Sequence, residues 1–284
     1  MDSSFSLRFL EGSLIRYFLY FTFVFQSVCL ASSVPVSDVL ATVTAADRVL
    51  GREDFNYSDY YQIKDFIEGS TVNLLNLEHV RQKFPQPSVP YNRRAQFGTW
   101  IDPTHDDSCL NTRDLVLARD SESNVTYKPS GCSVQEGVWE DPYSATTFQS
   151  PTELHIDHFV PLKNAYMTGA HSWSAKKRCL YTNYMGNNFH LIAVSSRENM
   201  SKGDGSPFKY IPKNEKYVCQ YIKQWLQVKI IWSLLLTPKE VDAIQKVSEA
   251  HKCNPKQFKM SATDLAAQRR YMYENENYCS HLAN

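Results

Sequence analysis

Four of the eight histidines fall between His155 and His190. The first two lie in residues 153–158, Glu-Leu-His-Ile-Asp-His, where an extended strand would direct Asp157 and His158 to opposite faces. A carboxylate that holds a hard divalent cation, beside an imidazole that activates water, suits the hydrolysis of a phosphodiester. An isolated Asp-His pair is more often structural, so this chemistry depends on further residues.

The further residues follow a second apolar segment. Residues 188–194, Asn-Phe-His-Leu-Ile-Ala-Val, are typical of a short strand and contain His190. The polar residues 195–204 indicate the start of a helix and carry Arg197, Asn199 and Lys202. The predicted order is therefore strand, loop, strand, helix.

These residues in this order resemble the HNH family of nucleases, the ββα-metal fold, in its variant with Asp-His-x-Val-Pro and Asn-x-x-Lys. The resemblance implies that Asp157 and Asn199 bind one divalent metal, with Mg²⁺ favoured and Mn²⁺ or Zn²⁺ as alternatives. It also implies that His158 is the general base and that His190 takes the middle position, which holds the loop. The family usually has Asn at that position, so Asn188 is the second candidate.

The resemblance extends upstream, through residues 91–93 (Tyr-Asn-Arg) and 141–143 (Asp-Pro-Tyr), to a secreted branch related to the C-terminal domain of GmrSD-type restriction enzymes. Nucleic acid is then the expected substrate, with DNA favoured and low sequence specificity. Lys202, with Arg197 and Lys163, would hold phosphates or stabilise developing charge. A solvated surface charge is the alternative for each of the two lysines. His155 has no family role and is either an extra ligand or an exposed strand residue.

Several elements must position these residues. Residues 34–90 read as a helical extension with a second helix over 72–80 and a Pro-rich linker, and residues 91–150 as short strands and loops. An apolar stripe predicts a helix over residues 216–236, and Thr237, Pro238 and Glu240 predict a capped second helix. The expected fold is α+β: a ββα-metal (HNH) core with short upstream strands and a C-terminal helical hairpin, stabilised by disulfides. The predicted domain spans 91–253, followed by a helical tail over 254–284.

The charge distribution favours a polyanionic partner only locally. The 284 residues contain 30 basic and 30 acidic side chains, a net charge of zero. Residues 155–229 hold 11 basic and 4 acidic side chains, a net +7, whereas residues 35–154 hold 10 and 18, a net −8. We therefore expect nucleic acid to approach the 155–229 segment, and we predict no stable membrane partner and no protein partner.

The composition and the absence of certain sequence motifs argue against several other classes of protein. The chain is 43% hydrophobic and 21% charged with 10 Gly and 13 Pro, which does not fit a collagen-like, coiled-coil or disordered protein. It lacks His-Glu-x-x-His and Gly-x-Ser-x-Gly, so a metalloprotease or an esterase has no visible machinery. The remaining alternative is a secreted disulfide-rich binding protein or a catalytically inactive enzyme of the same fold.

The N-terminus indicates the compartment. Arg8 and Arg16 precede and flank the apolar residues 17–28, and small residues follow, which predicts a signal peptide over residues 1–33. An uncleaved signal anchor is the alternative. The mature protein is expected outside the cell or in the lumen of the secretory pathway. Sequons at Asn56 and Asn124 agree with that route, and Asn199 also stands in a sequon, which we expect to be unmodified.

Six cysteines remain after the predicted signal peptide. They allow fifteen disulfide connectivities. We favour Cys109 with Cys132 and Cys219 with Cys253, because each pair brackets a self-contained segment, and Cys179 and Cys279 then remain. No Cys-x-x-Cys or Cys-x-x-His spacing occurs among them, which argues against structural zinc.

Overall fold

The computed structural model describes residues 71–75, 87–103 and 109–279. The predicted signal peptide over residues 1–33, the sequon at Asn56 and most of the predicted helical extension lie outside these ranges and stay predictions. Within the ranges described, no helix is both long and apolar enough to cross a membrane.

Helices and short strand pairs alternate along the chain, so the fold is mixed α and β, as predicted. The described strands form four antiparallel two-stranded sheets. Three of these sheets pair β1 (Thr71–Asn73) with β8 (Lys259–Ser261), β2 (Thr126–Tyr127) with β3 (Val134–Glu136), and β4 (Trp139–Asp141) with β5 (Thr146–Phe148).

The fourth sheet carries Asp157 and His158, two of the site residues predicted from the sequence. It pairs β6 (Leu154–His158) with β7 (Leu191–Ser195), so that His158 lies opposite Leu191. Alternate residues of the two strands enter two different hydrophobic clusters: Leu154, Ile156, Leu191 and Ala193 pack with Trp139, whereas Ile192 and Val194 join the larger core. Both faces are therefore covered, which explains why β7 is apolar at successive positions.

A helix follows β7 without a loop. This helix, α5 (Ser196–Lys202), begins where the Ser195 hydroxyl accepts a hydrogen bond from the Glu198 amide at 3.2 Å. It ends at Gly203, whose φ of +52° favours a residue without a side chain. The two antiparallel strands and the helix follow one another in the predicted order, but the predicted loop between the strands contains two helices, Leu162–Met167 and Ala175–Thr182.

Four helices precede α5 in the described chain: α1 (Arg93–Phe97), α2 (Thr112–Asp120), α3 (Leu162–Met167) and α4 (Ala175–Thr182). The sequence predicted only strands and loops over residues 91–150, so α1 and α2 are additions. The α2 helix begins because the Asn111 side chain accepts a hydrogen bond from the Arg113 amide at 2.8 Å. Short 3₁₀ turns occur at Pro151–Glu153, Ala170–Ser172, Pro255–Gln257 and Glu276–Cys279.

The predicted helical hairpin is present as α6 (Glu215–Ile231) and α7 (Pro238–Ala250). Tyr221 and Trp225 of the predicted apolar stripe are fully buried in the larger core. Thr237 caps α7 reciprocally with Glu240, as the sequence predicted: the Thr237 hydroxyl accepts from the Glu240 amide, and the Glu240 carboxylate accepts from the Thr237 amide.

The C-terminal residues pack on the same core. After β8 the chain continues as α8 (Ala262–Glu274), and Phe258 and Leu265 are fully buried beside the helical hairpin. Residues 71–73 form β1 rather than the start of the predicted helix over 72–80, because their backbone pairs with β8. The boundary at residue 253 therefore marks the extent of the family resemblance rather than a break in packing.

Three disulfides cross-link the described part of the chain. Two of them, Cys109–Cys132 and Cys219–Cys253, are the pairs favoured from the sequence, and the third joins the remaining Cys179 and Cys279. The third bridge spans 100 residues and ties α4 to the C-terminal turn. Constraining so long a loop in the unfolded chain is expected to stabilise the fold.

Candidate active site

A cavity of about 340 Å³ opens beside the end of β6 and the start of α5. It brings together Asp157, His158 and Asn199, three of the residues predicted from the sequence. The remaining lining residues are Tyr91, Arg93, Ile156, Pro161, Leu162, Lys163, Met200, Gly203 and Asp204.

His158 is held in one orientation by its neighbours. Its ring stacks on Trp100 with 5.1 Å between centroids and 3° between planes, and only 6% of the residue is exposed. Its Nε2 lies 3.0 Å from the backbone oxygen of Thr182, at the end of α4. A carbonyl oxygen only accepts hydrogen bonds, so Nε2 carries the proton and Nδ1 is an acceptor, without a partner among the described residues.

The electrostatic surroundings keep this imidazole neutral. Burial lowers the pKa of His158 well below its usual value, and the neighbouring His190, Arg93 and Lys202 lower it further. The hydrogen bond to Thr182 opposes this shift only in part. At neutral pH, His158 is therefore in the unprotonated form that a general base requires.

Asp157 points away from His158, as the strand alternation predicted. Its carboxylate accepts a hydrogen bond from the Tyr143 hydroxyl at 2.7 Å and an ion-paired hydrogen bond from Lys202 Nζ at 2.8 Å. Burial raises the pKa of Tyr143 well above its usual value, and the Asp157 charge raises it further, so the phenol stays a donor. Asp157 is thus a buried, doubly hydrogen-bonded anion at the cavity wall.

Lys202 does not occupy the position that a phosphate contact requires. Its ammonium group is buried and donates to Asp157 and, at 3.1 Å, to the backbone oxygen of His158. Burial lowers the pKa of Lys202, while Asp157 opposes that shift. The role assigned from sequence is therefore corrected: Lys202 holds Asp157 and the end of β6.

Asn199 lies on α5 and is half-buried at the cavity. Its side-chain amide is 3.2 Å from Nδ1 of His155, which is also half-buried. Burial lowers the pKa of His155, and the Arg113 guanidinium lowers it further. His155 thus contacts the site through Asn199 and is not simply an exposed strand residue.

His190 supports the site from behind. Its Nε2 donates to the backbone oxygen of Tyr181 at 2.8 Å, and its own backbone oxygen accepts from the Phe159 amide at 2.9 Å. Burial lowers the pKa of His190 to about 3, so the ring is neutral. Its Nδ1 is buried without a hydrogen-bond partner among the described atoms. His190 therefore connects the loop before β7 to the end of α4 and to the residue after β6.

The asparagine that ties this loop is Asn187 rather than the second candidate Asn188. The Asn187 side-chain oxygen accepts hydrogen bonds from the Phe189 amide at 3.0 Å and the His190 amide at 2.8 Å, whereas Asn188 is exposed. An asparagine two and three residues before the bonded amides is the usual signal for such a turn. The adjacent Asn-Asn pair concealed which of the two makes it.

The two predicted substrate contacts are separated by the fold. Lys163 lines the cavity but forms an ion pair with Asp204 at 2.6 Å, and both side chains are about half exposed. Arg197 is exposed and is not among the residues that line the cavity. Of the two, only Lys163 is placed beside Asp157 and His158.

Three residues of the site carried no role in the sequence analysis. Tyr143 donates to Asp157, the Thr182 backbone orients His158, and Trp100 covers its ring. Tyr143 was visible only as part of an Asp-Pro-Tyr turn, in which Asp141 accepts a hydrogen bond from the Tyr143 amide at 2.9 Å. A backbone carbonyl such as that of Thr182 leaves no signal in a sequence.

The donor set fits one hard cation and does not fit structural zinc. Among the described residues, no group of three His, Cys, Asp or Glu side chains is placed to hold a metal ion. Asp157 and Asn199 line one cavity and offer a carboxylate and a carboxamide oxygen. A carboxylate has about four lone-pair positions, so the contacts from Tyr143 and Lys202 leave some unused. A cation that keeps most of its water and takes phosphate oxygens needs no more protein ligands than these two.

Comparison with known proteins agrees with this organisation. Residues 111–247 match the family model for the C-terminal domain of GmrSD restriction endonucleases. The chain is 37% identical over 172 residues to an uncharacterized secreted protein of Arthroderma benhamiae, a match that covers 61% of this chain and 80% of that protein. No solved structure matches. The matched range contains both strands of the central pair, α5 and most of the helical hairpin, and the chain belongs to the family of the GmrSD restriction endonuclease C-terminal domain.

Proposed function

We propose that this protein is a secreted, metal-dependent HNH endonuclease that hydrolyses phosphodiester bonds of nucleic acid, with DNA as the favoured substrate. One observation carries the proposal. The Thr182 carbonyl holds His158 as the Nε2–H tautomer, which leaves the Nδ1 lone pair on a side chain that lines the same cavity as Asp157 and Asn199. Family membership supports the class of reaction.

In this mechanism, His158 removes a proton from the attacking water through Nδ1. The Thr182 carbonyl then stabilises the imidazolium that forms, because it already accepts the Nε2 proton. Trp100 prevents the ring from rotating. The low pKa of His158 makes it a weak base, so the reaction depends on accurate positioning more than on basicity.

Asp157 and Asn199 would hold the divalent cation, with Mg²⁺ favoured. When bound, the cation would neutralise charge on the phosphate and the leaving oxygen. Tyr143 and Lys202 orient the Asp157 carboxylate, and His155 orients Asn199. The protein thus supplies one general base and a pre-oriented pair of oxygen ligands.

The secretory route is part of the same proposal. Three disulfides occur in the structure, and disulfides persist in oxidising compartments. The related Arthroderma benhamiae protein is described as secreted. The exposed sequon at Asn124 is then the expected glycan site within the described chain.

A second function is favoured by one specific contact. The Lys202 ammonium already neutralises Asp157, so a binding protein or inactive enzyme of this fold would need no metal. Such a protein would retain nucleic acid in the cavity without cleaving it.

Purified protein should be incubated with supercoiled plasmid, single-stranded DNA and RNA in Mg²⁺, in Mn²⁺ and in a chelator. We expect cleavage that needs a divalent cation and that falls by about 10²- to 10⁴-fold in His158→Ala. His171→Ala is the matched control, because His171 also contacts a backbone oxygen, that of Tyr166 at 2.9 Å, but does not line the cavity. Binding without cleavage under all conditions would favour the second function.

Mass spectrometry of the secreted protein gives an independent check at Asn199. A glycan on this residue would block the proposed ligand, and we expect an unmodified side chain. High occupancy at Asn199 would contradict the catalytic proposal even if the protein binds nucleic acid.

A further inference from the structure

The charges around the cavity are almost all paired. Lys163 pairs with Asp204 at 2.6 Å, and Lys202 behind the wall pairs with Asp157 at 2.8 Å. Arg93 also lines the cavity and makes no ion pair with any residue that the structure describes. The cavity with its immediate wall therefore carries one uncompensated positive charge, and that charge is the Arg93 guanidinium.

The backbone that carries Arg93 is well anchored. Arg93 begins α1, where the Asn92 side chain accepts a hydrogen bond from the Ala95 amide at 3.0 Å. Phe97, at the other end of α1, is fully buried in the larger core, and Gln96 donates to the Tyr166 hydroxyl at 2.8 Å. The Arg93 side chain is exposed, so it is accessible to a ligand.

Arg93 shares the cavity with the proposed base. Burial raises the pKa of the Tyr91 hydroxyl, and the nearby Arg93 guanidinium opposes that shift. Both Tyr91 and His158 line the cavity with Arg93. An anion that entered the cavity would therefore meet an unpaired cation close to the imidazole.

We propose that Arg93 binds a non-bridging oxygen of the substrate phosphodiester and places it beside His158. This inference rests on the proposed nuclease function and identifies its phosphate-binding residue. A guanidinium is planar and offers parallel donors that match two phosphate oxygens, and it stays charged at any physiological pH. The sequence-based candidates do not take this role, because Lys202 is buried, Lys163 is paired and Arg197 is not part of the cavity lining.

Arg93 lies outside the residues that the family model matches and outside the basic segment. Arg93 lies before the matched residues 111–247 and inside the acidic segment 35–154, not inside the basic segment 155–229. The fold brings this one cation from the acidic half of the chain to the cavity.

The test compares Arg93→Ala and Arg93→Lys with Arg94→Ala. Arg94 is the matched control, because it is the exposed neighbour on α1 and does not line the cavity. Binding of a fluorescent DNA oligonucleotide is measured by anisotropy over a series of salt concentrations, in a His158→Ala background that prevents cleavage. Thermal unfolding of each variant verifies that the protein is folded.

We expect Arg93→Ala to weaken binding about 10-fold. The slope of log K against log salt concentration should become shallower by about the amount that one phosphate contact contributes. Arg93→Lys should restore the salt dependence but only part of the affinity, since lysine cannot bind two oxygens in parallel. Arg94→Ala should stay within about twofold of the parent, as expected for a solvated surface charge. An Arg93→Ala variant that binds like Arg94→Ala with an unchanged salt dependence would overturn the proposal.

Cleavage assays separate the two proposals. They use the wild type and the Arg93 variants with His158 intact. If the wild type cleaves DNA and Arg93→Ala cleaves it equally well, the Arg93 contact fails and the nuclease function stands. If no variant cleaves but binding depends on Arg93, the nuclease function fails and the phosphate contact stands. If the wild type neither cleaves nor binds nucleic acid, both fail.

Discussion

The wall of the cavity and the core behind it each contain a neutral histidine and a buried ion pair between a lysine and a carboxylate. At the wall, which we call the cavity side, lie neutral His158 and the buried Lys202–Asp157 ion pair. On the core side lie neutral His190 and the buried Lys229–Glu240 ion pair. Of these residues, His158 and Asp157 line the cavity, so the two sides differ in access to a ligand rather than in residue type.

The two histidines differ in the surroundings of their Nδ1 atoms. Their Nε2 atoms contact adjacent carbonyls of α4, those of Thr182 and Tyr181, and both rings are neutral because burial lowers their pKa values. Nδ1 of His190 is sealed in the core, whereas His158 lines the cavity. A lone pair that no water can reach does not act as a base.

Both lysines are buried, and they differ in where their carboxylate partner lies. Lys229 donates to Asn164 at 2.6 Å, Thr168 at 3.0 Å and the Leu235 backbone at 2.9 Å, and its partner Glu240 caps α7. These contacts lock α3, α6 and α7 together. Lys202 donates to Asp157, which lines the cavity and can therefore exchange partners with a ligand.

Replacing each histidine by glutamine should give the largest contrast. Glutamine can donate to the same carbonyl but has no basic nitrogen. We expect kcat/KM of His158→Gln to fall by about 10²- to 10⁴-fold and that of His190→Gln to stay within about 10-fold of the wild type. Plasmid cleavage rates measure this. Equal losses in both variants would show that the two rings share one role.

Replacing each lysine by methionine tests the ion pairs. Both variants should lose about 3–5 kcal/mol of unfolding free energy, because a buried carboxylate is left without its partner. Only Lys202→Met should recover stability in Mn²⁺ or Mg²⁺, because the Asp157 carboxylate left without its partner lines the cavity. The gain should be about 2.7 kcal/mol when the metal concentration is about a hundred times its Kd. Denaturant unfolding with and without metal measures both effects. Equal metal responses would argue against Asp157 as a ligand.

The pH dependence of stability should report the buried imidazoles. Burial lowers the pKa of His190 from 6.5 to about 3, so between these values the unfolded chain binds more protons than the folded one. Stability should therefore be complete above about pH 6.5 and fall as pH drops toward 3, with up to about 1.4 kcal/mol per pH unit from this group. Unfolding of His190→Gln should show a shallower slope than the wild type. Parallel slopes would mean that His190 is not buried neutral.

His155→Ala should have the smallest effect of the series. The variant loses only the 3.2 Å contact that orients Asn199, worth about 2- to 10-fold in activity. We expect the activity at saturating Mg²⁺ to return close to that of the wild type. A loss as large as that of His158→Gln would place His155 among the metal ligands.

Much of the site's secondary structure could be predicted from the sequence. The strand pair, the start of α5, the capped helical hairpin and the favoured disulfide pairs follow from patterns that span a few residues or one closed segment. Four helices were missed, α1 and α2 before the strand pair and α3 and α4 in the predicted loop between the strands. The α1 helix has five residues, and α2 owes its start to a single side chain, that of Asn111. Short elements with one anchoring bond leave little periodicity to read.

The sequence by itself determined which residue types are available: an Asp-His strand end, an asparagine one helical turn before the end of α5, and six cysteines beyond the predicted signal peptide. Only the tertiary structure decided their partners. Tyr143 reaches Asp157 across 14 residues, Thr182 reaches His158 across 24, and Lys202 reaches Asp157 across 45. Local patterns express interactions within a strand or a helical turn, whereas hydrogen-bond partners and unpaired charges depend on which distant segments the core brings together.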